Sequence, residues 1–195
     1  MKHLNKILSG AAVLVVLTGC DLFKHSISKE DYQAKVDKLK EHQYTEATVS
    51  FKEEIKGTGM YAESTADTDE TAKFTYDETL GWVTEDVTNV SLKYYIFTLQ
   101  GKKIDDSIAI PDESSLEINT TYYSNLEVKT EIKGTYVVDS SLLHMEIEYD
   151  KYTIDYKFDK YGWLTNYKMV CNSSVTAGDE SGTNNTTRTV KISYK

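Results

Sequence analysis

Most of the chain alternates between apolar and polar residues with a period of two. In residues 47–55, Ala47, Val49, Phe51 and Ile55 share one parity, and polar residues occupy the other. This pattern is typical of a β-strand with one buried face and one solvated face. The same alternation recurs in residues 126–133, 145–149, 154–158, 165–171 and 190–194. The pattern therefore predicts a mainly β fold of about ten antiparallel strands.

One segment has helical spacing instead. Tyr32, Val36 and Leu39 recur at i, i+4 and i+7, and Ser28 precedes two acidic residues as a candidate N-cap. These features predict a single amphipathic helix over residues 29–42. A one-sided sheet with one helix has to bury its apolar face, either by closing on itself or by curving around the helix. We therefore expect an antiparallel curved sheet, half-barrel or barrel-like, with one N-terminal helix.

Residues 92–99 depart from this alternation because they carry large apolar groups on both parities. One interpretation is a central strand that is covered on both faces. The other makes one face part of a ligand cavity or of a partner surface. Under the second interpretation, the candidate ligand-binding residues are Tyr94, Ile96, Phe97 and Leu99.

Polar and glycine-containing stretches separate these segments. The tract 177–185 has no apolar period and predicts a hairpin loop. Residues 101–115, which include the single proline Pro111, are interpreted as a connection between two halves. Asp67-Thr68-Asp69-Glu70 lacks the glycine and the distal glutamate of a calcium loop, so a solvated loop is expected there.

The two halves resemble each other. Residues 49–58 align with 126–135, and Tyr76-Asp77 followed by Gly81-Trp82 parallels Phe158-Asp159 followed by Gly162-Trp163. Two matches in the same order favour an internal duplication, with repeats over residues 45–100 and 122–195. Each tryptophan follows a turn glycine, where its ring is expected to close a hairpin over the core. The alternative is a role in binding a ligand.

The N-terminus has the features of an export signal. Lys2 and Lys6 precede the apolar run of residues 7–17, which is shorter than the roughly 20 residues that a membrane-spanning helix needs.

The run ends in Leu17-Thr18-Gly19-Cys20, which resembles the lipobox of bacterial lipoproteins. The resemblance implies cleavage before Cys20 and attachment of lipid to its thiol, so Cys20 is the lipid-attachment residue and the membrane is the expected partner. The alternative is an ordinary signal peptide with a chance cysteine. We interpret 1–19 as a signal peptide, 20–28 as a tether and 29–195 as a single β-rich domain.

Composition and motifs exclude several functions. Asp and Glu number 31 against 22 Lys and Arg, and the formal net charge is −9. Arg188 is the only arginine. Nucleic-acid binding depends on clustered basic residues and is therefore not expected. The four histidines lack metal-ligand spacing, and we find no catalytic motif. We expect no metal, no cofactor and no enzymatic activity, and we expect Cys171 to be a buried hydrophobe on a strand.

The lipobox, the single helix, the alternating strands and the hairpin Phe158-Asp159-Lys160-Tyr161-Gly162-Trp163-Leu164-Thr165 together resemble the LolA/LppX-like lipoproteins. The curved half-barrel of that group holds acyl chains or glycolipids. The resemblance implies non-catalytic binding of a hydrophobic or amphiphilic ligand by a lipid-anchored protein on the extracytoplasmic side of the cell membrane. The alternative is a surface module with a closed, dry core that binds a protein or a glycan through its tyrosine-rich strands.

Overall fold

The computed structural model describes residues 25–100, 116–139 and 144–195. In these residues nine antiparallel strands form one sheet. The strands are β1 (Ser26–Ile27), β2 (Glu46–Gly59), β3 (Ala66–Asp77), β4 (Gly81–Val83), β5 (Leu116–Tyr123), β6 (Glu127–Asp139), β7 (His144–Phe158), β8 (Leu164–Ala177) and β9 (Glu180–Tyr194). Their order across the sheet is β1-β5-β6-β7-β8-β9-β2-β3-β4. The mainly β, antiparallel fold predicted from the alternation is confirmed.

The sheet is curved and open. β4 is separated from β8 by β3, β2 and β9, which in a flat sheet corresponds to roughly 19 Å. Yet the rings of Trp82 in β4 and Trp163 at the start of β8 lie only 5.9 Å apart, edge to face. The sheet therefore curls strongly at this end. No pairing among the described strands joins β4 to β1 or β5, so the sheet does not close into a barrel.

The predicted helix is present but shorter than expected. Helix α1 (Lys29–Val36) begins after Ser28, whose hydroxyl accepts a hydrogen bond from the Asp31 amide at 3.0 Å. It ends six residues before the predicted boundary at 42. Beyond it, the Leu39 and His42 carbonyls accept hydrogen bonds from the side chains of Gln100 and Trp163. These side-chain contacts tie the segment after the helix to the rest of the fold.

Strand β7 joins two segments that the sequence shows on opposite parities, 145–149 and 154–158. The register with β8 shifts between Tyr149 and Lys151, which leaves Asp150 as an extra residue. A β-bulge of this kind moves the following side chains to the other parity. The apolar residues before and after the bulge consequently face the same side of one strand.

The interpretation of residues 92–99 as a central strand is wrong. Val87–Tyr95 is a 3-10 helix, and Asp86 caps it by accepting hydrogen bonds from the Thr88 amide and hydroxyl at 3.0 and 2.6 Å. Only a short extended stretch follows, in which Thr98 forms an isolated β-bridge with Trp163. Since the helix interrupts the strand pattern, large apolar residues occur on both parities without belonging to a sheet.

Two segments predicted as loops are strands. β8 ends at Ala177 and β9 begins at Glu180, so the tract 177–185 contributes only a two-residue turn and the start of β9. Asp67-Thr68-Asp69-Glu70 lies in β3 and pairs with β2. Asp69 accepts a hydrogen bond from Lys52 at this exposed edge. Polar composition marks solvent exposure in both segments, and backbone pairing on the sheet determines their conformation.

The segments matched in the sequence occupy equivalent places in two three-strand units, β2-β3-β4 and β6-β7-β8. In each unit an aspartate caps the turn before a tryptophan. Asp77 accepts hydrogen bonds from two amides ahead of Gly81 (φ +73°), and Asp159 accepts from two amides around Gly162 (φ +86°). Positive φ favours glycine at both positions. The duplication itself stays a prediction.

The N-terminal features lie largely outside the described residues. The signal segment, Cys20 and most of the tether lie there, and so does the connection 101–115 in the middle of the chain. Ser26–Ile27, assigned to the tether from the sequence, instead pairs with Tyr122 and Tyr123 of β5. Among the helices in the described parts of the chain, none is long and apolar enough to cross a membrane.

Candidate functional site

The two faces of the sheet differ in chemistry. The concave face carries the apolar parity of every long strand, and side chains from successive strands align in rows across it. One such row, read from β2 to β6, is Glu53, Arg188, Met169, Ile154 and Thr130, and the next is Ile55, Thr186, Cys171, Tyr152 and Ile132. The outer face carries mainly lysines, acids, threonines and asparagines.

One end of the concave face is filled by the protein itself. Tyr32 and Val36 of α1, Leu92 of the 3-10 helix and both tryptophans are buried there. They pack on residues such as Val49, Phe74, Leu164 and Val190, all of which are at most 2% exposed. This end is a packed core, and the expectation that each tryptophan closes a hairpin over the core agrees with its burial.

The four candidate residues from the segment 92–99 separate in the structure. Ile96 and Leu99 are 8% exposed and belong to the packed core. Phe97 is partly buried, 6.1 Å from the ring of Phe158. Tyr94 points to the surface with 65% exposure and contacts the Tyr95 ring edge to face. The structure does not bring these four side chains together around one site, and their binding role stays a prediction.

Beyond the packed end, the concave face holds a group of partly buried residues that the sequence did not single out. We call this group the Arg188 patch. It consists of Phe51, Glu53, Ile55, Tyr95, Tyr152, Met169, Cys171 and Arg188. Strands β2, β7, β8 and β9 supply all of these residues except Tyr95, which ends the 3-10 helix. Apolar and aromatic groups therefore surround one charged pair.

That pair is Arg188 and Glu53, which are direct neighbours across β9 and β2. The Arg188 Nε donates to Glu53 Oε1 at 2.7 Å, and Nη2 donates to the same oxygen. The side chain of Glu53 is 16% exposed and that of Arg188 is 32% exposed. The Glu53 side chain is thus the deeper partner, and the Arg188 side chain is the more exposed one.

Aromatic rings border the guanidinium. Its Cζ lies 5.7 Å from the centre of the Phe51 ring, within the range of a cation–π contact. Burial raises the pKa of the Tyr95 hydroxyl, and the positive charge of the nearby Arg188 partly offsets that rise. Burial lowers the pKa of Arg188, but its hydrogen bond to Glu53 and the neighbouring negative charge outweigh this and raise the pKa overall. Arg188 is therefore charged in this apolar setting.

A cavity of about 210 Å³ lies on the outer face of β6, β7 and β8. Its lining includes Glu127, Lys129, Asp155, Lys157 and Lys168. Lys129 pairs with Glu131 at 2.7 Å, and Lys157 pairs with Glu127 at 3.3 Å. Small size and paired charges make this cavity unsuited to an acyl chain.

A second aromatic group lies at the packed end, near the turn between β7 and β8. His42 stacks on Tyr161 with ring centres 4.3 Å apart, and Tyr44 stacks on Tyr194 at 4.9 Å. The Tyr44 hydroxyl donates to Asp159 Oδ2 at 2.8 Å. His42 is exposed, whereas Tyr44 and Tyr161 are partly buried. His42 is therefore the solvent-exposed ring of this group.

Two further chemical expectations concern metal ions and the thiol. In the described residues, no group of three or more His, Cys, Asp or Glu side chains could hold a metal ion. Cys171 lies on the concave face as the alternation predicts, where it is partly buried. Burial raises the pKa of its thiol, which a hydrogen bond with Ser173 partly offsets. The thiol is therefore a poor nucleophile at neutral pH.

Comparison of the chain with protein-family models, with curated proteins and with solved structures found no match.

Proposed function

We propose that this protein is a membrane-anchored extracytoplasmic lipoprotein that binds a hydrophobic or amphiphilic ligand without catalysis. The observation that carries the binding part is the Arg188 patch. A ligand with an apolar chain matches Ile55, Tyr152 and Met169, and a polar head matches the charged pair beside them. Binding sites for small molecules commonly combine a largely apolar lining with a few polar groups that fix orientation.

The anchor is supported by the sequence Leu17-Thr18-Gly19-Cys20. Two or three acyl chains on one cysteine hold a protein stably at a membrane, because each buried CH₂ group contributes about 0.8 kcal/mol. The test is to produce the full chain and its Cys20→Ala variant in a bacterial host fed with radiolabelled palmitate. We expect label and membrane retention in the original chain alone. Equal labelling of both chains would contradict the anchor.

The binding test is native mass spectrometry, with solvent extraction, of the full chain that carries Cys20→Ala. We expect about one molecule of co-purified lipid per chain. If the purified chain is empty, it should take up about one molecule of an added fatty acid. A folded chain that carries no lipid and takes up none would contradict the proposal.

Two adjacent residues of β8 provide a matched pair of variants for this test. Met169 faces the concave side and Val170 the outer side, and both are partly buried. Met169→Gln should weaken lipid binding because it places a polar amide in the apolar part of the patch. Val170→Gln makes a comparable change on the opposite face and should leave binding unchanged. Equal effects of the two variants would argue against the concave site.

The second candidate is a surface module that binds a protein or a glycan. It is favoured by the packed end of the concave face and by the exposed His42 ring that stacks on the partly buried Tyr161. Under this alternative, lipid is absent from the purified chain, and Tyr161→Ala weakens retention on immobilised glycans. Retention of lipid by the Tyr161→Ala variant would support the first proposal instead.

A further inference from the structure

The chain separates its two kinds of basic residue between the two faces of the sheet. The strand lysines described by the structure all occupy the outer parity, and they are Lys52, Lys56, Lys73, Lys129, Lys133, Lys151, Lys157, Lys168 and Lys191. Arg188, the only arginine of the chain, occupies the concave parity. A solvated face needs only a hydrated point charge, which lysine supplies. The planar guanidinium instead suits two-point binding of carboxylate and phosphate groups.

Glu53 uses only part of the guanidinium. Of its five N–H bonds, two are directed to Glu53 Oε1, and the Tyr95 hydroxyl lies near the guanidinium. No other residue in the described parts of the chain accepts a hydrogen bond from Arg188. The arginine side chain is 32% exposed against 16% for the glutamate, so the arginine is the more accessible member of the pair.

The surroundings of the guanidinium strengthen the hydrogen bonds that it donates. Phe51 and Tyr95 flank the guanidinium, and Met169 and Ile154 follow it in the same row. Apolar neighbours lower the local dielectric constant, so a charge-assisted hydrogen bond is stronger there than on the outer face. A partly buried charged pair is also a weak source of stability, which makes a binding role a better reason for its presence.

We propose that Arg188 binds the anionic head group, a carboxylate or a phosphate, of an acyl amphiphile whose chain lies on the apolar part of the Arg188 patch. This inference rests on the proposed lipid binding. Glu53 orients the guanidinium through two hydrogen bonds and also competes with the ligand for it. The two members of the pair therefore have opposite effects on ligand binding, although each one is needed for the ion pair.

The experiment measures dissociation constants of the full chain carrying Cys20→Ala for decanoate, decyl phosphate, decan-1-ol and acetate at neutral pH. Decanoate and decanol share the chain and differ in the head, whereas acetate has the anion without the chain. We expect decanoate and decyl phosphate to bind about tenfold or more tightly than decanol, as one charge-assisted hydrogen bond implies, and acetate to bind far more weakly than all three. All variants contain the apolar run at residues 7–17, so any binding of ligand to that run is the same in each and cancels when the variants are compared.

Four variants separate recognition from a structural role. Arg188→Gln should reduce the affinity for decanoate to that for decanol. Glu53→Gln should increase the preference for decanoate because the competing carboxylate is gone. Lys168→Gln removes one positive charge from the outer face and should change nothing. Arg188→Lys, which keeps the charge but lacks the planar fork, should retain part of the preference and serves if Arg188→Gln does not fold.

Opposite shifts of the Arg188→Gln and Glu53→Gln variants would support the inference, because loss of the ion pair alone moves both in the same direction. Parallel shifts, or equal binding of decanoate and decanol by the parent chain, would overturn head-group recognition while leaving lipid binding intact. Binding of acetate as tightly as decanoate would identify a site for small anions and would also overturn it. Failure of decanoate, decyl phosphate and decanol alike to bind would overturn the proposed function together with this inference.

Discussion

The carboxylate of Asp159 holds the turn between β7 and β8 through three hydrogen bonds. Its Oδ1 accepts from the amides of Tyr161 and Trp163 at 2.8 and 2.9 Å, and its Oδ2 accepts from the Tyr44 hydroxyl at 2.8 Å. Asp159→Ala removes the acceptor for all three donors. With about 1 kcal/mol for each bond, the free energy of unfolding should fall by about 3 kcal/mol.

Two milder variants test whether these bonds act as described. Asp159→Asn keeps one oxygen for the two amides and loses the acceptor for Tyr44, so it should cost about 1 kcal/mol. Tyr44→Phe removes the same bond from the other side and should cost a similar amount. Because the two changes remove one interaction, the double variant should cost less than the sum of the single variants.

The assay is urea denaturation followed by circular dichroism, with linear extrapolation to water. Asp77→Ala is the matched control, since Asp77 caps the equivalent turn before Trp82 by accepting from the amides of Thr79 and Leu80. Those donors are exposed and regain water, so this variant should cost less than Asp159→Ala. A loss below about 1 kcal/mol for Asp159→Ala, or full additivity of the Asn and Phe variants, would refute the reasoning.

Three further predictions concern the ionisation of Tyr44, the packing of the 3-10 helix and the reactivity of Cys171. Burial, followed by the hydrogen bond to Asp159 and its charge, raises the pKa of Tyr44 from 10.0 to about 12; its contribution to stability is therefore complete below pH 10 and lost as the pH rises through about 12. Urea titrations across this range should show a steeper decline in the original chain than in Tyr44→Phe. Leu92→Ala should lower the free energy of unfolding by about 2–5 kcal/mol because Leu92 is 3% exposed. Tyr94→Ala should lower it by less than about 1 kcal/mol because Tyr94 is 65% exposed. Equal losses would contradict the helical placement of the segment. Iodoacetamide should modify Cys171 much more slowly in the folded chain than in urea at pH 7.5, because burial both shields the thiol and raises its pKa, and equal rates would show an accessible thiol.

The long strands could be predicted because their burial is one-sided. Residues such as Val49, Val190 and Ile192 alternate with polar neighbours, and the sheet places all of them on its concave face. The change of parity within β7 was visible as two separate runs. A bulge that links the runs depends on pairing with both neighbouring strands, and the sequence of β7 alone does not contain that information.

The segment 92–99 was wrongly predicted to be a central strand because it carries large apolar residues on both parities. Of its aliphatic residues only Leu92 lies within the 3-10 helix, since Ile96 caps the end of the helix and Leu99 follows it. Asp86 ahead of Thr88 is a capping signal that would have indicated where the helix begins. The prediction of a loop at 177–185 was wrong for another reason. Strands that are paired on both sides tolerate threonine, serine and asparagine without any apolar period.

The Arg188 patch had a signal in the sequence that was not used. Arg188 shares its parity with Val190 and Ile192, and it is the only arginine among many lysines. A charged residue in the apolar register of a strand indicates a buried charge that needs a partner. That partner, Glu53, lies far away in the sequence, and only the pairing of β9 with β2 brings the two together.

The pairing of β2 with β9 also has a consequence for how the chain folds. β5 to β9 pair with their neighbours in sequence, and β2 to β4 do the same, but among the described strands the two groups are hydrogen-bonded to each other only along this seam. Its partners are as distant in the chain as Ala47 and Tyr194. Hairpins with short connections can form early, whereas closing so long a loop carries a large entropic cost and slows folding. The seam is therefore expected to form last, and the Arg188–Glu53 contact, which spans it, to assemble only in the final step of folding.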